Sequence, residues 1–136
     1  MSRADDARDE LLERARRTLT AASLAVVPHT DADGLAAGAI ALRARGEGAG
    51  HAVLLGRGQT PFAADAPLPP GRGPVAVLDW GVRRLDRPGL IVDHHAPEAE
   101  PRTDQVLVSG YAEGRPVSTA VLMKRVVPAA PAWLAA

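Results

Sequence analysis

The chain has 136 residues, 46% of them hydrophobic, and its 16 Lys and Arg residues balance its 16 Asp and Glu residues. This length allows one hydrophobic core, so we expect a single domain over residues 1–136. The balanced charge excludes a strongly positive overall field, so any anionic ligand must be held by a local site. The absence of cysteine excludes disulfides, thiolate nucleophiles and cysteine-ligated zinc. A metal site would therefore use histidine and carboxylate ligands.

The N-terminal segment is rich in charged residues and predicts a leading helix. It lacks the apolar core of a secretion signal, and no window of the chain approaches a membrane span. We therefore expect a cytoplasmic protein that does not contact a membrane. The helix is predicted from about residue 4 to residue 19, with Ser2 as its cap, and it forms a leading element over residues 1–20. Its narrow apolar stripe indicates packing against an α/β core over residues 24–136.

Short apolar segments predict strands that alternate with helices. The strands are expected over residues 23–28, 51–56, 74–81, 89–95 and 105–109, and further helices over residues 34 to about 45 and about 116–127. Continuous apolar strands are typical of a parallel sheet covered on both faces. We expect a three-layer α/β sandwich with a mainly parallel, roughly five-stranded, Rossmann-like sheet. The segment GEGAG closes the second helix, and the proline- and glycine-rich residues 56–73 form a surface loop where a helix could be partly lost.

Histidine and aspartate residues follow three of the predicted strands. They are His29, Asp31 and Asp33 after the first strand, Asp79 at the end of the third, and Asp93, His94 and His95 at the end of the fourth. Ligands of open parallel sheets collect beyond the carboxyl ends of the strands, so these side chains should share one edge. Unpaired carboxylates gathered there would repel one another, and divalent cations would resolve that conflict. The pattern predicts a metal site at this edge.

Each motif has a simpler interpretation when it is considered alone. The DADG sequence resembles part of a calcium loop or a simple turn, Asp79 could cap a helix, and the DHH residues could form a salt-bridged surface loop. His51 is interpreted as the first residue of a strand. The glycines of residues 56–58 and 71–73 lack the spacing of a dinucleotide fingerprint. The metal-site interpretation rests on the coincidence of three weak signals at the same end of three parallel strands.

The ordered motifs HTDADG, VLDWG and VDHH resemble the first three motifs of the DHH phosphoesterases. This superfamily includes RecJ-type exonucleases, oligoribonucleases of the nano-RNA type, cyclic-dinucleotide phosphodiesterases and family II pyrophosphatases. The resemblance covers about residue 24 to the C-terminus, and the glycine in HTDADG favours the RecJ-like branch. It implies hydrolysis of phosphodiester or phosphoanhydride bonds in nucleotides or short single-stranded nucleic acids.

The resemblance also implies a role for each metal-ligating residue. Two Mn²⁺ or Mg²⁺ ions would lie between the motifs and activate a water for attack on phosphorus. His29 and Asp31 would bind the first ion, and Asp33 and His94 the second. Asp79 would bridge the two ions.

Further residues are assigned around these ligands by the same resemblance. His95 would face the substrate phosphate, and Asp93 would orient a neighbouring histidine. Ser118 and Thr119 lie in a segment that resembles the family helix whose start lies near the cleft. They are therefore candidate phosphate contacts, and the simpler interpretation is that they are ordinary residues of a first helical turn.

The sequence departs from the family pattern at its C-terminal end. Family members carry a fourth motif, an aspartate in a GD turn after a segment much like PAWLAA, and then a smaller C-terminal domain; neither occurs before Ala136. We therefore expect the domain to be truncated at its C-terminus, as a fragment or as a naturally shortened protein whose second metal site lacks a carboxylate. The alternative function is a catalytically impaired domain that binds nucleotide or serves as a scaffold.

Overall fold

A computed structural model of the chain describes residues 2–46 and 52–135. The elements follow in the order α1 (Arg3–Leu19), β1 (Ala25–Pro28), α2 (Ala32–Arg45), β2 (Val75–Leu78), β3 (Gly89–Asp93), β4 (Gln105–Ser109), α3 (Thr119–Val126) and a 3-10 helix (Ala132–Ala135). The strands form one parallel sheet in the order β1, β2, β3, β4. The predicted α/β fold with a parallel sheet is confirmed, and the described residues form four strands where roughly five were expected.

The strand predicted over residues 51–56 is wrong for the described part of that segment. Ala52 forms a single parallel bridge with Val26, and the Val53 N–H donates to the Val26 carbonyl at 2.8 Å. Leu55 then enters the core, whereas Leu54 is 60% exposed. The apolar run is therefore explained by the burial of Leu55 and not by a continued ladder. His51 and most of the GEGAG segment lie outside the described residues.

The helices α1, α2 and α3 pack on one face of the sheet, and connecting loops cover the other face. The core on the helical face includes Val26, Leu78, Leu90 and Val92 from the strands and Leu19, Ile40, Leu122 and Met123 from the helices. The core on the other face joins Val27, Val75, Val77 and Ile91 to the loop residues Leu55, Val82 and Leu85. Successive strand residues thus point to opposite faces, as a pleated strand requires. In the described part of the chain, loops form the third layer of the predicted sandwich.

Two short connections start at the edge of the sheet where the predicted metal ligands gather. Residues 79–88 join β2 to β3, and residues 94–104 join β3 to β4, without a helix in either. The first connection is anchored by Val82 and Leu85, which are 1% and 2% exposed. Because the strands are parallel, each connection must return from the carboxyl end of one strand to the amino end of the next. Asp79 and His94 are the first residues of these returning segments.

The helix boundaries follow from side-chain caps. Ser2 caps α1, as predicted, because its Oγ accepts the Asp5 N–H at 3.2 Å and its own N–H donates to Asp5 Oδ2 at 3.4 Å. The last helix begins at Thr119, later than predicted, because Ser118 is its N-cap. Arg16 links α1 to α3, because its Nε donates to the Val126 carbonyl at 2.7 Å. Within the described residues, no helix is both long enough and apolar enough to cross a membrane.

Candidate metal centre

The residues that follow β1, β2 and β3 converge at one edge of the sheet. Among the described residues, two groups of three offer ligand atoms that lie within 4.8 Å of one another, and these groups are His29, Asp31 and Asp79, and Asp79, His94 and His95. Asp79 belongs to both groups. Imidazole and carboxylate together suit Mn²⁺ and related ions. The structure thus brings five of the predicted site residues into an arrangement that could hold metal ions.

Asp31 is both a candidate ligand and the N-cap of α2. Its Oδ1 accepts the Gly34 N–H at 2.8 Å, and its Oδ2 lies 3.0 Å from His29 Nδ1. Partial burial would raise the pKa of Asp31, but its interactions with the Gly34 N–H and the His29 ring outweigh that effect and lower the pKa. Asp31 is therefore ionised at neutral pH, which is the state that binds a metal.

Gly34 allows α2 to begin directly against His29. A Cβ atom at this position would lie 2.1 Å from the His29 carbonyl oxygen and 2.7 Å from the His29 Cβ. Real Cβ atoms do not approach so closely, so no side chain fits here without a shift of the backbone. The glycine of HTDADG is thus explained by the close passage of the chain at the site.

The nitrogen His29 Nδ1 is buried, and no hydrogen-bond partner satisfies it in the described structure. Asp31 Oδ2 lies 3.0 Å from this nitrogen, so the imidazole and the carboxylate form a close pair. The ring is fixed by an edge-on contact with Trp80, with the ring centroids 4.7 Å apart. An unpaired buried polar atom is costly. A cation shared by the imidazole and the carboxylate would remove that cost, so the donor set fits a metal ion.

Asp79 is the most constrained of the candidate ligands. It has φ +69°, a left-handed conformation that is uncommon outside glycine, and it is 4% exposed. Its Oδ1 accepts a hydrogen bond from the Thr119 hydroxyl at 2.9 Å and lies 3.2 Å from His94 Nε2. Burial raises the pKa of Asp79 to about 6; the Thr119 hydrogen bond opposes this, and the charges of Asp33 and Asp31 add to it. A nearby cation would stabilise the buried carboxylate in its ionised form.

Asp93 is fully buried and holds His95 in place. Its Oδ1 lies 2.9 Å from His95 Nδ1 and accepts the Gly81 N–H at 2.9 Å, and its Oδ2 accepts the His95 N–H at 2.6 Å. The hydrogen bond to Asp93 raises the pKa of His95. With Nδ1 engaged, Nε2 is the ring atom left for a ligand. This geometry suits the predicted orienting role of Asp93, and at His95 it suits either a metal ligand or a substrate contact.

Asp33 is held by the first turn of α3. Its Oδ2 accepts the Thr119 N–H at 3.0 Å, and its Oδ1 accepts the Ala120 N–H at 2.8 Å. These N–H groups have no partner within their own helix, so Asp33 satisfies both. Its Oδ2 also lies 3.5 Å from His94 Nε2. Asp33 therefore lies beside His94, but neither ligand group includes it, and its role as a metal ligand stays a prediction.

The two candidate phosphate contacts have partners inside the protein. Ser118 Oγ accepts the Val121 N–H at 3.2 Å, and Thr119 is fully buried with its hydroxyl on Asp79. These contacts agree with the simpler interpretation as residues of a first helical turn, and contact with a substrate phosphate stays a prediction. The Thr119 hydrogen bond to Asp79 was not predicted. It joins residues 40 positions apart, and no local sequence pattern indicates such a pair.

An open depression of about 540 Å³ lies beside the ligand groups. His29, Asp79 and His95 line it together with residues from the two returning loops, among them Trp80, Arg83 and Glu98. Residues that come after β2 in the sequence form one wall, and residues that come after β3 form the other. The depression therefore lies at the same sheet edge as the candidate ligands. It provides room for a small anionic ligand next to them.

Comparison with known proteins gives a similar fold. No protein-family model and no curated protein sequence matches the chain. Among solved structures, the fold is similar to that of exonuclease RecJ bound to manganese, with a TM-score of 0.61 and 19% sequence identity. The match covers 85% of this chain and 36% of the RecJ chain, so this chain spans about a third of that protein's length. The chain therefore shares the fold of one part of RecJ.

Proposed function

We propose that this chain is a two-metal-ion phosphoesterase domain that acts on nucleotides or short single-stranded nucleic acids. The observation that carries the proposal is that Asp79 belongs to both ligand groups. A carboxylate shared in this way can bridge two ions, an arrangement used in the hydrolysis of phosphate esters. The similarity to a manganese-bound exonuclease and the order of the HTDADG, VLDWG and VDHH motifs support the same reaction class.

In this proposal two sets of metal ligands share Asp79. His29 and Asp31 would complete the first set. His94 would complete the second set together with Asp33, whose Oδ2 lies 3.5 Å from His94 Nε2, in place of the His95 of the second ligand group. Bound Mn²⁺ or Mg²⁺ would supply Lewis-acid activation of the phosphate ester and of the attacking water. Hydrogen bonds fix the positions of the two carboxylates, because Asp31 accepts an N–H of α2 and Asp33 accepts an N–H of α3.

His95 is the residue proposed to contact the substrate phosphate. Its hydrogen bond to Asp93 raises its pKa and so favours the protonated ring. With Nδ1 held by Asp93, a protonated ring can donate from Nε2 to a phosphate oxygen. Asp93 acts as the group that orients this ring, since it is fully buried and also accepts the Gly81 N–H.

Metal-dependent stability is the direct test of the proposal. Mn²⁺ at about 100 times its Kd should raise the free energy of unfolding by about 2.7 kcal/mol for one site. Asp79→Asn should abolish the gain, because both ligand sets lose their shared carboxylate. Asp86→Asn is the matched control, since Asp86 is an exposed residue paired with Arg84 outside the ligand groups. Hydrolysis of an aryl phosphodiester in Mn²⁺ tests the reaction; a chain with neither a thermal shift nor hydrolysis would contradict the proposal.

The second candidate is a nucleotide-binding domain with impaired catalysis. It is favoured by the contacts of Asp33, whose two carboxylate oxygens both accept hydrogen bonds from α3. If these hydrogen bonds remain when a metal binds, Asp33 does not become a ligand. Asp79 is then the one carboxylate of the second group among the described residues. One tightly bound Mn²⁺ per chain, together with nucleotide binding and no hydrolysis, would support this candidate over the first.

A further inference from the structure

Arg83 is the only lysine or arginine among the described residues that line the depression beside the candidate metal centre. The same depression contains His29, Asp79 and His95, which belong to the two ligand groups. A ligand phosphate bound at the metal centre would therefore have a guanidinium within the same cavity of about 540 Å³. Guanidinium groups bind phosphate through paired, charge-assisted hydrogen bonds.

The backbone around Arg83 is fixed by its neighbours. Val82 and Leu85 are buried in the core on the loop-covered face. The Val82 carbonyl accepts the Glu98 N–H at 2.8 Å, which joins the two walls of the depression. The guanidinium carbon lies 5.6 Å from the centroid of the Phe62 ring, within the range of a cation–π contact. Arg83 is thus presented to the depression by a segment that is packed in place.

The ion pair of Arg83 with Glu98 is easily exchanged. Its Nε lies 3.4 Å from Glu98 Oε2, and the two side chains are 54% and 68% exposed. Exposed ion pairs of this kind contribute little to stability. A phosphate offers several acceptor oxygens to the fork of a guanidinium, so it can replace this single carboxylate contact.

We propose that Arg83 forms an anion-binding subsite that holds a second phosphate of the substrate, beside the phosphate at the metal centre. This inference rests on the proposed function and specifies its substrate class as molecules with two neighbouring phosphates. Glu98 occupies the subsite when no substrate is bound. The subsite raises the affinity for a ligand with a second phosphate and takes no part in bond cleavage.

Equilibrium binding to the Mn²⁺-loaded protein tests the subsite. The probes are two phosphorothioate-linked dinucleotides, one with a 5′ phosphate and one with a free 5′ hydroxyl. The wild type should prefer the phosphorylated probe by about 10-fold, as a charge-assisted contact implies. Arg83→Ala should reduce the preference to about one, and Glu98→Gln should increase it by about 2-fold to 3-fold, because an exposed competitor is removed.

Arg84→Ala is the matched control for a general loss of positive charge. Arg84 is adjacent in sequence and does not line the depression; it pairs with Asp86 at 3.4 Å and its side chain is 86% exposed. This variant should keep the wild-type preference. Equal loss of preference in the Arg83 and Arg84 variants would overturn the subsite, as would an unchanged preference in Arg83→Ala.

The outcomes separate the subsite from the proposed function. A wild type that binds Mn²⁺ and hydrolyses an aryl phosphodiester, but does not distinguish the two probes, would overturn the subsite alone. A wild type that binds neither Mn²⁺ nor either probe would overturn both. Thermal unfolding of each variant in Mn²⁺ checks that the metal centre and the fold are retained.

Discussion

The two ligand groups that meet at Asp79 are held by the protein in different ways. In the first group, His29 Nδ1 is buried without a hydrogen-bond partner, beside an Asp31 carboxylate that caps α2. In the second group, Asp93 already holds the ring of His95. A carboxylate partner of this kind fixes the orientation and the tautomer of an imidazole ring. In the first group a cation could satisfy the buried ring nitrogen, whereas in the second group the protein itself orients one of the rings.

The largest expected effect comes from removing one histidine of either group. His29→Ala and His94→Ala should each reduce the bound Mn²⁺ from two ions to one per chain, because each removes a ligand that the other group does not use. Calorimetric titration with Mn²⁺ would give this stoichiometry. Loss of both ions in either variant would show that the two groups act as one site.

Thr119→Val should lower the affinity of the protein for both Mn²⁺ ions. The substitution keeps the shape of a fully buried residue but removes the hydroxyl that donates to Asp79 Oδ1 at 2.9 Å. Loss of such a partner typically lowers metal affinity by about 10-fold to 100-fold. The measurement is the Mn²⁺ affinity by calorimetry, and Thr119→Ser should restore it. Wild-type affinity in Thr119→Val would mean that the hydrogen bond has only a structural role.

The smallest expected effect is on the pH dependence of the metal-free protein. The folded state raises the pKa of Asp79 to about 6, above its usual value of about 3.9. Protonation therefore stabilises the fold; this contribution is fully present below about pH 4 and is lost as the pH rises through about 6. Relative to Asp79→Asn, the wild type should lose stability between about pH 4 and 7.

Urea unfolding with a chelator measures this difference. Adding Mn²⁺ should reverse it at neutral pH, because the ion stabilises the ionised Asp79 carboxylate of the wild type and gains nothing in the variant. Stability curves of wild type and variant that stay parallel from about pH 4 to 7 would contradict the raised pKa.

The position of the candidate site could be predicted from the sequence because it depends on local order along the chain. Each ligand motif directly follows an apolar run, and three of the runs became β1, β2 and β3. The segment around Leu55 is not a strand although its apolar run predicts one, because such a run indicates burial but does not specify pairing. The bonds from α3 to Asp33 and Asp79 could not be predicted, because they depend on how distant helices pack.

The placement of the helices on one face has a consequence for local opening. Segments that lack regular hydrogen bonding open at lower free energies than strands and helices, and their amides exchange faster. Arg83 and Glu98 lie in the loops that join β2 to β3 and β3 to β4, whereas Asp31 and Asp33 accept hydrogen bonds from the first turns of α2 and α3. The amides of residues 79–88 and 94–104 should therefore exchange faster than those of α2 and α3, except where the buried Val82 and Leu85 anchor the first of these loops. Hydrogen exchange would thus distinguish the loops that line the depression from the helices that hold the two carboxylates.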